Sequence, residues 1–297
     1  MITLFTIPKP FEGHYEIIQK NAIISWMLLE PKCEIIVFSD DLSTEKICNE
    51  YQIRYLRDFK NNSYGTPLLD GIWKKVKEVA NNDLICYINT DIILLPSFLD
   101  QISSVKYSEF FITGRRWDIN IDYLIDFNID WQSSLIKKVK KEGGLHPASG
   151  ADFFLFPKSL MPDMPKFAIG RAWWDNWLFY YFKKNKIPII DGTNIMTVHQ
   201  NHDYSHIKSV SQGTTFKGEE REQNKKIAGL KYWSKLNILD SNYYWHNGKI
   251  IKKSFKHRIQ RIIDRYLFRT IIYIREYFKY VLAEITMILL KSPKTKD

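Results

Sequence analysis

At 297 residues, 45% hydrophobic and 15% aromatic, the chain is long enough for one sizeable α/β domain with an appendage and too apolar for wholesale disorder. Its net charge of +10 is concentrated at one end: residues 251–297 hold twelve basic and four acidic residues, whereas the preceding 250 are nearly neutral, which argues against a nucleic-acid-binding body. Three cysteines without paired spacing (Cys33, Cys48, Cys86) exclude a disulfide framework, and the opening MITLFTIPKPF lacks the features of a secretory signal, so the expected location is the cytoplasm.

The first hundred residues alternate strand and helix signals. Ile2–Ile7 is β-rich and ends at Pro8 and Pro10, and Tyr15–Leu29 carries apolar residues at helical spacing. Glu34–Phe38 is a continuous apolar run, as a buried parallel strand requires, and it is closed by Ser39, Asp40 and Asp41. Ser43–Tyr51 reads as a helix, Ile53–Leu56 as a strand, Thr66–Val79 as a helix with Pro67 at an early position, and Leu84–Leu95 as a strand region. Further on, Phe110–Thr113, Ala151–Pro157 and Pro188–Val198 read as strands, and Leu135–Lys141 and Trp174–Lys184 as helices. Such alternation predicts an α/β, Rossmann-type, mostly parallel sheet with flanking helices over residues 1–250, followed by a basic amphipathic helical segment over 251–297.

Ligands of open parallel sheets bind beyond the carboxyl ends of the strands. The residues there are Thr6 to Lys9, Asp40 and Asp41, Tyr64-Gly65-Thr66, Asn89-Thr90-Asp91, Gly114-Arg115-Arg116, Gly150-Ala151-Asp152, and the run from His199 to His206. Asp91 stands out, because a carboxylate in an apolar strand run is costly unless it is paired or bound to a cation. A divalent ion bridging two phosphates answers that need; a turn cap or a partner arginine answers it equally. In the late run, three histidines and an aspartate fall within eight residues, either as ligands or as a hydrogen-bonded turn.

Asn89-Thr90-Asp91 resembles the Asp-x-Asp element of GT-A glycosyltransferases, in a form that keeps only the last acid. Thr6-Ile7-Pro8-Lys9-Pro10, Ser39-Asp40-Asp41, Tyr64-Gly65-Thr66-Pro67, Gly114-Arg115-Arg116-Trp117, the segment from Gly150 to Pro157 and the His199 run resemble, in that order, the capsule and O-antigen polysaccharide subgroup. The resemblance covers about residues 1–206 and implies a nucleotide-sugar donor with Mn2+ or Mg2+. It places Thr6, Asp40, Tyr64, Asn89, Asp91, Arg115 and His202 around the donor. Asp91 and His199 become metal ligands, and His202 becomes an alternative ligand or a diphosphate contact. Arg115 and Arg116 either neutralise phosphate or pair with surface acids.

An inverting transferase needs a carboxylate beside the acceptor hydroxyl. Asp175, at the start of a predicted helix, matches the acidic position of inverting GT-A enzymes; Asp152 competes as base and otherwise binds acceptor. Trp174 is expected to stack on acceptor sugar, although capping by Asp175 among core aromatics is the alternative. In the tail, Arg258, Arg261, Arg265 and Arg269 share one helical face and apolar residues repeat in a 4-3 pattern, interrupted by too many charges for a membrane span. Such a helix suits an anionic membrane surface, here the inner face of the cell membrane, or packs on its own domain or on a second copy in a homodimer.

The implied activity is sugar transfer from a nucleotide donor to a hydroxyl of a glycan, lipid-linked, in surface polysaccharide biosynthesis. The rivals are a sugar nucleotidyltransferase, which needs a Gly-rich phosphate loop after the first strand, and a non-catalytic, membrane-docked glycan-binding protein, which needs neither metal nor nucleotide.

Overall fold

The computed structural model describes residues 1–103, 105–202, 218–229, 236–257 and 259–264, with seven isolated positions between 267 and 282. The expectations for Asp203 to His206, for Arg258, Arg265 and Arg269, and for Ile271, Ile285 and Ile288 of the 4-3 stripe lie outside the described residues.

The strands are β1 (Ile2–Thr6), β2 (Glu34–Phe38), β3 (Arg54–Leu56), β4 (Leu84–Ile88), β5 (Ile92–Leu94), β6 (Phe111–Thr113), β7 (Trp117–Ile119), β8 (Gly144–Leu145), β9 (Phe153–Pro157), β10 (Ile189–Asp191), β11 (Thr197–Gln200), β12 (Tyr243–His246) and β13 (Lys249–Lys252). The helices are α1 (Gly13–Met27), α2 (Leu42–Glu50), α3 (Leu69–Val79), α4 (Ser97–Ser103), α5 (Trp131–Glu142), α6 (Trp174–Lys184) and α7 (Glu219–Ala228).

Nine strands form one sheet in the order β13-β12-β10-β6-β9-β4-β1-β2-β3. Its pairings are parallel except where β9 inserts between β4 and β6 and where β13 closes a hairpin on β12. Period-two alternation along the strands feeds two cores. Phe5, Ile36, Phe38, Ile85, Tyr87, Phe154 and Phe156 face α3 and α6, while Leu4, Ile35, Val37, Cys86, Ile88 and Leu155 face α1, α2 and α4. The domain is therefore α/β, with a large mostly parallel sheet flanked by helices.

A second sheet, β5-β11-β7-β8, packs through Ile93, Ile119 and Val198 onto Trp131, Leu135 and Val139 of α5. It explains two departures from the sequence reading. The run Leu84–Leu95 is two strands in different sheets, broken at Asn89-Thr90-Asp91, where Asn89 N–H donates to Asp152 O at 2.9 Å and Ile92 N–H turns back to Asn89 O. Likewise Pro188–Val198 divides into β10 and β11 around a turn at Gly192. The helix expected from Thr66 begins at Leu69, because Pro67 bars the residue before it from helical conformation, and Pro67 and Leu68 make bridges to Asn61 and Ala168 instead. Gly114 is required sterically: a Cβ there would meet the Gly192 carbonyl carbon at 2.6 Å.

The main sheet runs past residue 250. β13 straddles that position, and Lys253 Nζ reaches Asp191 at 3.2 Å and Ser241 at 2.7 Å. Residues 255–257 and 259–264 are helical and touch the body through Arg261 to Asp240, at 3.2 Å, and His257 to Leu239 O. No helix among the described residues is long and apolar enough to cross a membrane.

A candidate metal centre beside a nucleoside-sized cleft

The small sheet assembles the site by register. β11 runs antiparallel to β5 with His199 opposite Ile92, so Gln200 N–H reaches Asp91 O at 3.1 Å. β11 also runs parallel to β7 with His199 opposite Asp118. β8 pairs with β7, which brings His146 to Asp118. Residues from four distant parts of the chain thereby converge on the end of β4.

Asp91, His199 and His202 each offer one ligand atom within 4.8 Å of the others. Asp91 Oδ2 lies 3.0 Å from His202 Nε2 and 3.7 Å from His199 Nε2. Asp91 Oδ1 is buried with no hydrogen-bond partner among the described residues. Burial pushes the Asp91 carboxyl up, but His199, His202 and Arg116 outweigh it and hold the group well below the usual carboxylate range.

Behind these groups lies a second layer, of which sequence reasoning missed Asp118 and His146. Asp118 Oδ1 sits 3.1 Å from His199 Nδ1, off the line of a full hydrogen bond, and accepts from Arg116 Nε at 2.9 Å; its Oδ2 is 2.6 Å from His146 Nδ1. Burial raises the Asp118 carboxyl, yet His146, His199 and Arg116 depress it well below its ordinary value. Arg116 also pairs with Asp152, and Asp152 Oδ1 accepts from Asn89 Nδ2 at 2.6 Å. Burial opposes the charge of Arg116, but Asp152 and Asp118 overcome it and keep the guanidinium protonated.

Mn2+ or Mg2+ fits this arrangement. Three clustered carboxylates, Asp91, Asp118 and Asp152, lie around one guanidinium, so with the histidines neutral, as ligand imidazoles have to be, an excess of two negative charges is left for a divalent ion to offset. The orphaned Oδ1 is a ready ligand atom, and two imidazoles beside one carboxylate suit Mn2+ better than the oxygen-preferring Mg2+.

Beyond β1 and β2, on the same edge, a cleft of about 300 Å3 is lined by Ile7, Pro8, Pro10, Phe38, Ser39, Asp40, Asp41, Phe59, Gly65 and Pro67. β1 lies between β2 and β4, so cleft and cluster occupy neighbouring strand ends. Asp40 is exposed there and accepts from Asn61 Nδ2 at 2.8 Å, whereas Asp41 is the N-cap of α2, accepting from Ser43 N and Thr44 N. Tyr64 is exposed in the loop that carries Gly65, and its hydroxyl engages Glu219.

Several expected contacts are placed differently. Thr6 is fully buried and shares a 2.6 Å hydrogen bond with Thr90, tying the ends of β1 and β4 together. Asn89 accepts from Tyr87 and donates to Asp152, so its side chain positions neighbours. Asp152, offered as base or acceptor contact, is buried with both oxygens engaged. Arg116 is buried and held by two carboxylates, and half-buried Arg115 donates to the carbonyls of His146 and Leu145. Trp174 is 7% exposed and packs edge-to-face on Trp73, Tyr87 and Phe154, a core role that leaves little face for a sugar. Asp175, half-buried, follows it in the first turn of α6; through Trp174 that turn abuts Tyr87, whose hydroxyl binds Asn89.

No protein-family model matches this chain, and no curated protein matches it. Solved structures give distant likenesses. Glucosyl-3-phosphoglycerate synthase from Mycobacterium tuberculosis with UDP aligns at 12% identity and TM-score 0.43, covering 78% of this chain and 81% of that one. Mannosyltransferase PcManGT from Pyrobaculum calidifontis with GDP-Man and Mn2+ aligns at 8% identity and TM-score 0.42, over 68% of this chain and 57% of that one. TarS from S. aureus, residues 1–349 with UDP-GlcNAc, aligns at 11% identity and TM-score 0.30, over 40% of this chain and 35% of that one. At these TM-scores the likenesses carry no inference about chemistry.

Proposed function

We propose that this chain is a metal-dependent glycosyltransferase of the GT-A type that takes a nucleotide-sugar donor. The observation that carries this reading is the Asp91-His199-His202 cluster, with an orphaned carboxylate oxygen, one strand away from a cleft of nucleoside size. In this reading Asp40 and the walls of the cleft hold the nucleoside, and Asp91, His199 and His202 hold the ion. When bound, the ion supplies positive charge to a departing diphosphate. Asp118 orients His199 from behind, the usual task of a carboxylate beside a metal-ligating histidine. Asp175 remains the general base for an inverting transfer, since both oxygens of Asp152 are engaged.

The loop after β1 disfavours a nucleotidyltransferase. Pro8 and Pro10 have no N–H, Lys9 N–H goes to Gln19 Oε1 at 2.8 Å, and Phe11 N–H goes to Ser43 Oγ at 2.8 Å, so residues 8–11 offer no backbone N–H to a phosphate. The test is calorimetry of full-length protein with UDP, GDP, CDP and ADP, with and without Mn2+, followed by release of nucleoside diphosphate from the matching nucleotide-sugars. Absence of Mn2+-dependent binding to all four refutes the reading.

For the acceptor and location, the supporting features are the basic tail and the exposed apolar residues Phe255, Ile259, Ile262 and Ile263 on its described part. They favour a glycan acceptor on a lipid at the inner membrane face, in polysaccharide assembly, over a homodimer contact. Because β13 and Arg261 belong to the body, the informative truncation follows residue 264. Since Phe255, Ile259, Ile262 and Ile263 stay in that truncation, it is combined with their replacement by Ser; loss of sedimentation of the combined variant with anionic vesicles supports the anchor, and unchanged sedimentation rules it out.

A further inference from the structure

We infer that Glu220, a buried carboxylate of α7, is the positioning residue that holds the loop wall of the nucleoside cleft. This rests on the transferase reading above, which gives the cleft to the donor's nucleoside.

Phe59, Gly65 and Pro67 of the cleft belong to the loop between β3 and α3. The base of that loop is closed by bridges from Asn61 to Pro67 and from Leu68 to Ala168. Its tip folds on Asn62, whose Oδ1 accepts from Tyr64 N at 2.9 Å and from Thr66 N at 3.0 Å, while its carbonyl accepts from Gly65 N at 3.0 Å. These bonds fix the shape of the tip, but they lie within it and do not set where it stands against the rest of the protein. Glu220, more than 150 residues further along the chain, does that. Asn62 Nδ2 donates to Glu220 Oε1 at 2.8 Å, and the Thr66 hydroxyl bonds the same carboxylate. The Tyr64 hydroxyl goes to the neighbouring Glu219.

Glu220 is itself placed firmly. It is 3% exposed, and its Oε2 accepts from Arg171 Nε at 2.7 Å, while Arg171 Nη2 reaches Thr66 Oγ1 at 3.3 Å. Burial pushes its carboxyl up, but Asn62, Thr66 and Arg171 outweigh that and hold it below the usual carboxylate range. One turn further along α7, buried Asn224 accepts from Ala168 N at 2.9 Å and donates to Ala168 O at 2.9 Å and to Arg171 O at 3.0 Å, so helix and carboxylate move as one piece. A buried ion pair adds little stability over apolar side chains of the same volume. What this one adds is orientation, because a charged acceptor fixes the Asn62 amide and the Thr66 hydroxyl in one place, and with them the wall at Gly65 and Pro67.

The experiment compares full-length wild type with Glu220→Gln, Thr66→Val and the double variant. Calorimetry reads Mn2+ alone and, at saturating Mn2+, whichever of UDP, GDP, CDP and ADP wild type binds. With the clamp broken the wall occupies its binding position for only part of the time, and apparent affinity falls in proportion. Glu220→Gln weakens the nucleoside diphosphate about tenfold on this reasoning and Thr66→Val about threefold, with Mn2+ affinity unchanged in both. The double variant is no weaker than Glu220→Gln, since Thr66 acts through the carboxylate. A Glu220→Gln that melts earlier but keeps wild-type diphosphate affinity overturns the assignment while the transferase reading stands. Losses that multiply in the double variant, or equal weakening of Mn2+ alone, overturn it as well. If Glu220→Gln does not fold, Thr66→Val, which keeps the Glu220–Arg171 pair, decides by the same two affinities. Failure of wild type to bind any of the four nucleotides with Mn2+ removes both readings together.

Discussion

Replacing Asp91 with Asn removes one unit of charge and one ligand oxygen from the cluster with almost no change in volume. The ion's contribution to stability follows from mass action: at a free concentration of 100 times its dissociation constant, a ligand of the native state adds about 2.7 kcal/mol. For a chain of this size each kcal/mol moves the melting temperature by about 2–4 °C, so saturating Mn2+ should raise that of the wild type by about 5–11 °C. In Asp91→Asn only His199 and His202 remain of the three ligands, and the carboxylate excess around Arg116 falls from two charges to one. The Mn2+-induced shift should then drop to about 2 °C or less. The measurement is a thermal melt of chelator-stripped protein across a Mn2+ titration, with Ca2+ as the control for non-specific effects. A shift in Asp91→Asn equal to that of wild type would show that the ion binds elsewhere and would end the argument from the cluster.

Arg116→Met should cost about 3–5 kcal/mol in urea unfolding, because it leaves buried Asp152 without its cation and takes one partner from the quarter-exposed Asp118; a loss below about 1 kcal/mol would mean water already solvates Asp152. Asp175→Asn should lower sugar-transfer turnover by about 10²–10⁴-fold with donor affinity unchanged, and more than a tenth of wild-type turnover would remove Asp175 as base. Asp91 and Asp118 both have folded carboxyl values below the ordinary range, so the unfolded chain takes up protons first on acidification. Their contribution is present above about pH 4 and fades as pH falls through the folded values, so urea midpoints should decline more steeply below about pH 5 in wild type than in Asp118→Asn. Parallel declines would assign the acid sensitivity to other carboxylates.

The alternation of apolar runs with helical spacing was enough to identify most elements of the main sheet, because burial on both faces writes itself into each strand as a local pattern. Glu34–Phe38 and Trp174–Lys184 are bounded in the fold as they are in the sequence. Parallel strands also present their carboxyl ends on one edge, so the placing of Asp40 and Asp91 needed only chain order. The small sheet was not legible, since β5, β7 and β8 have two or three residues each, too few for a period to show. What it does could not be read locally at all. Asp118 meets His199 through the register of β7 on β11, eighty residues apart, and Arg116 meets Asp152 across the break between two sheets. For the same reason a sequence offers every arginine and tryptophan at a strand or helix end as a ligand contact. Only packing decided that Arg115, Arg116 and Trp174 serve the protein's own carbonyls, carboxylates and core, because a side chain's partner is fixed by the three-dimensional neighbours that desolvate it.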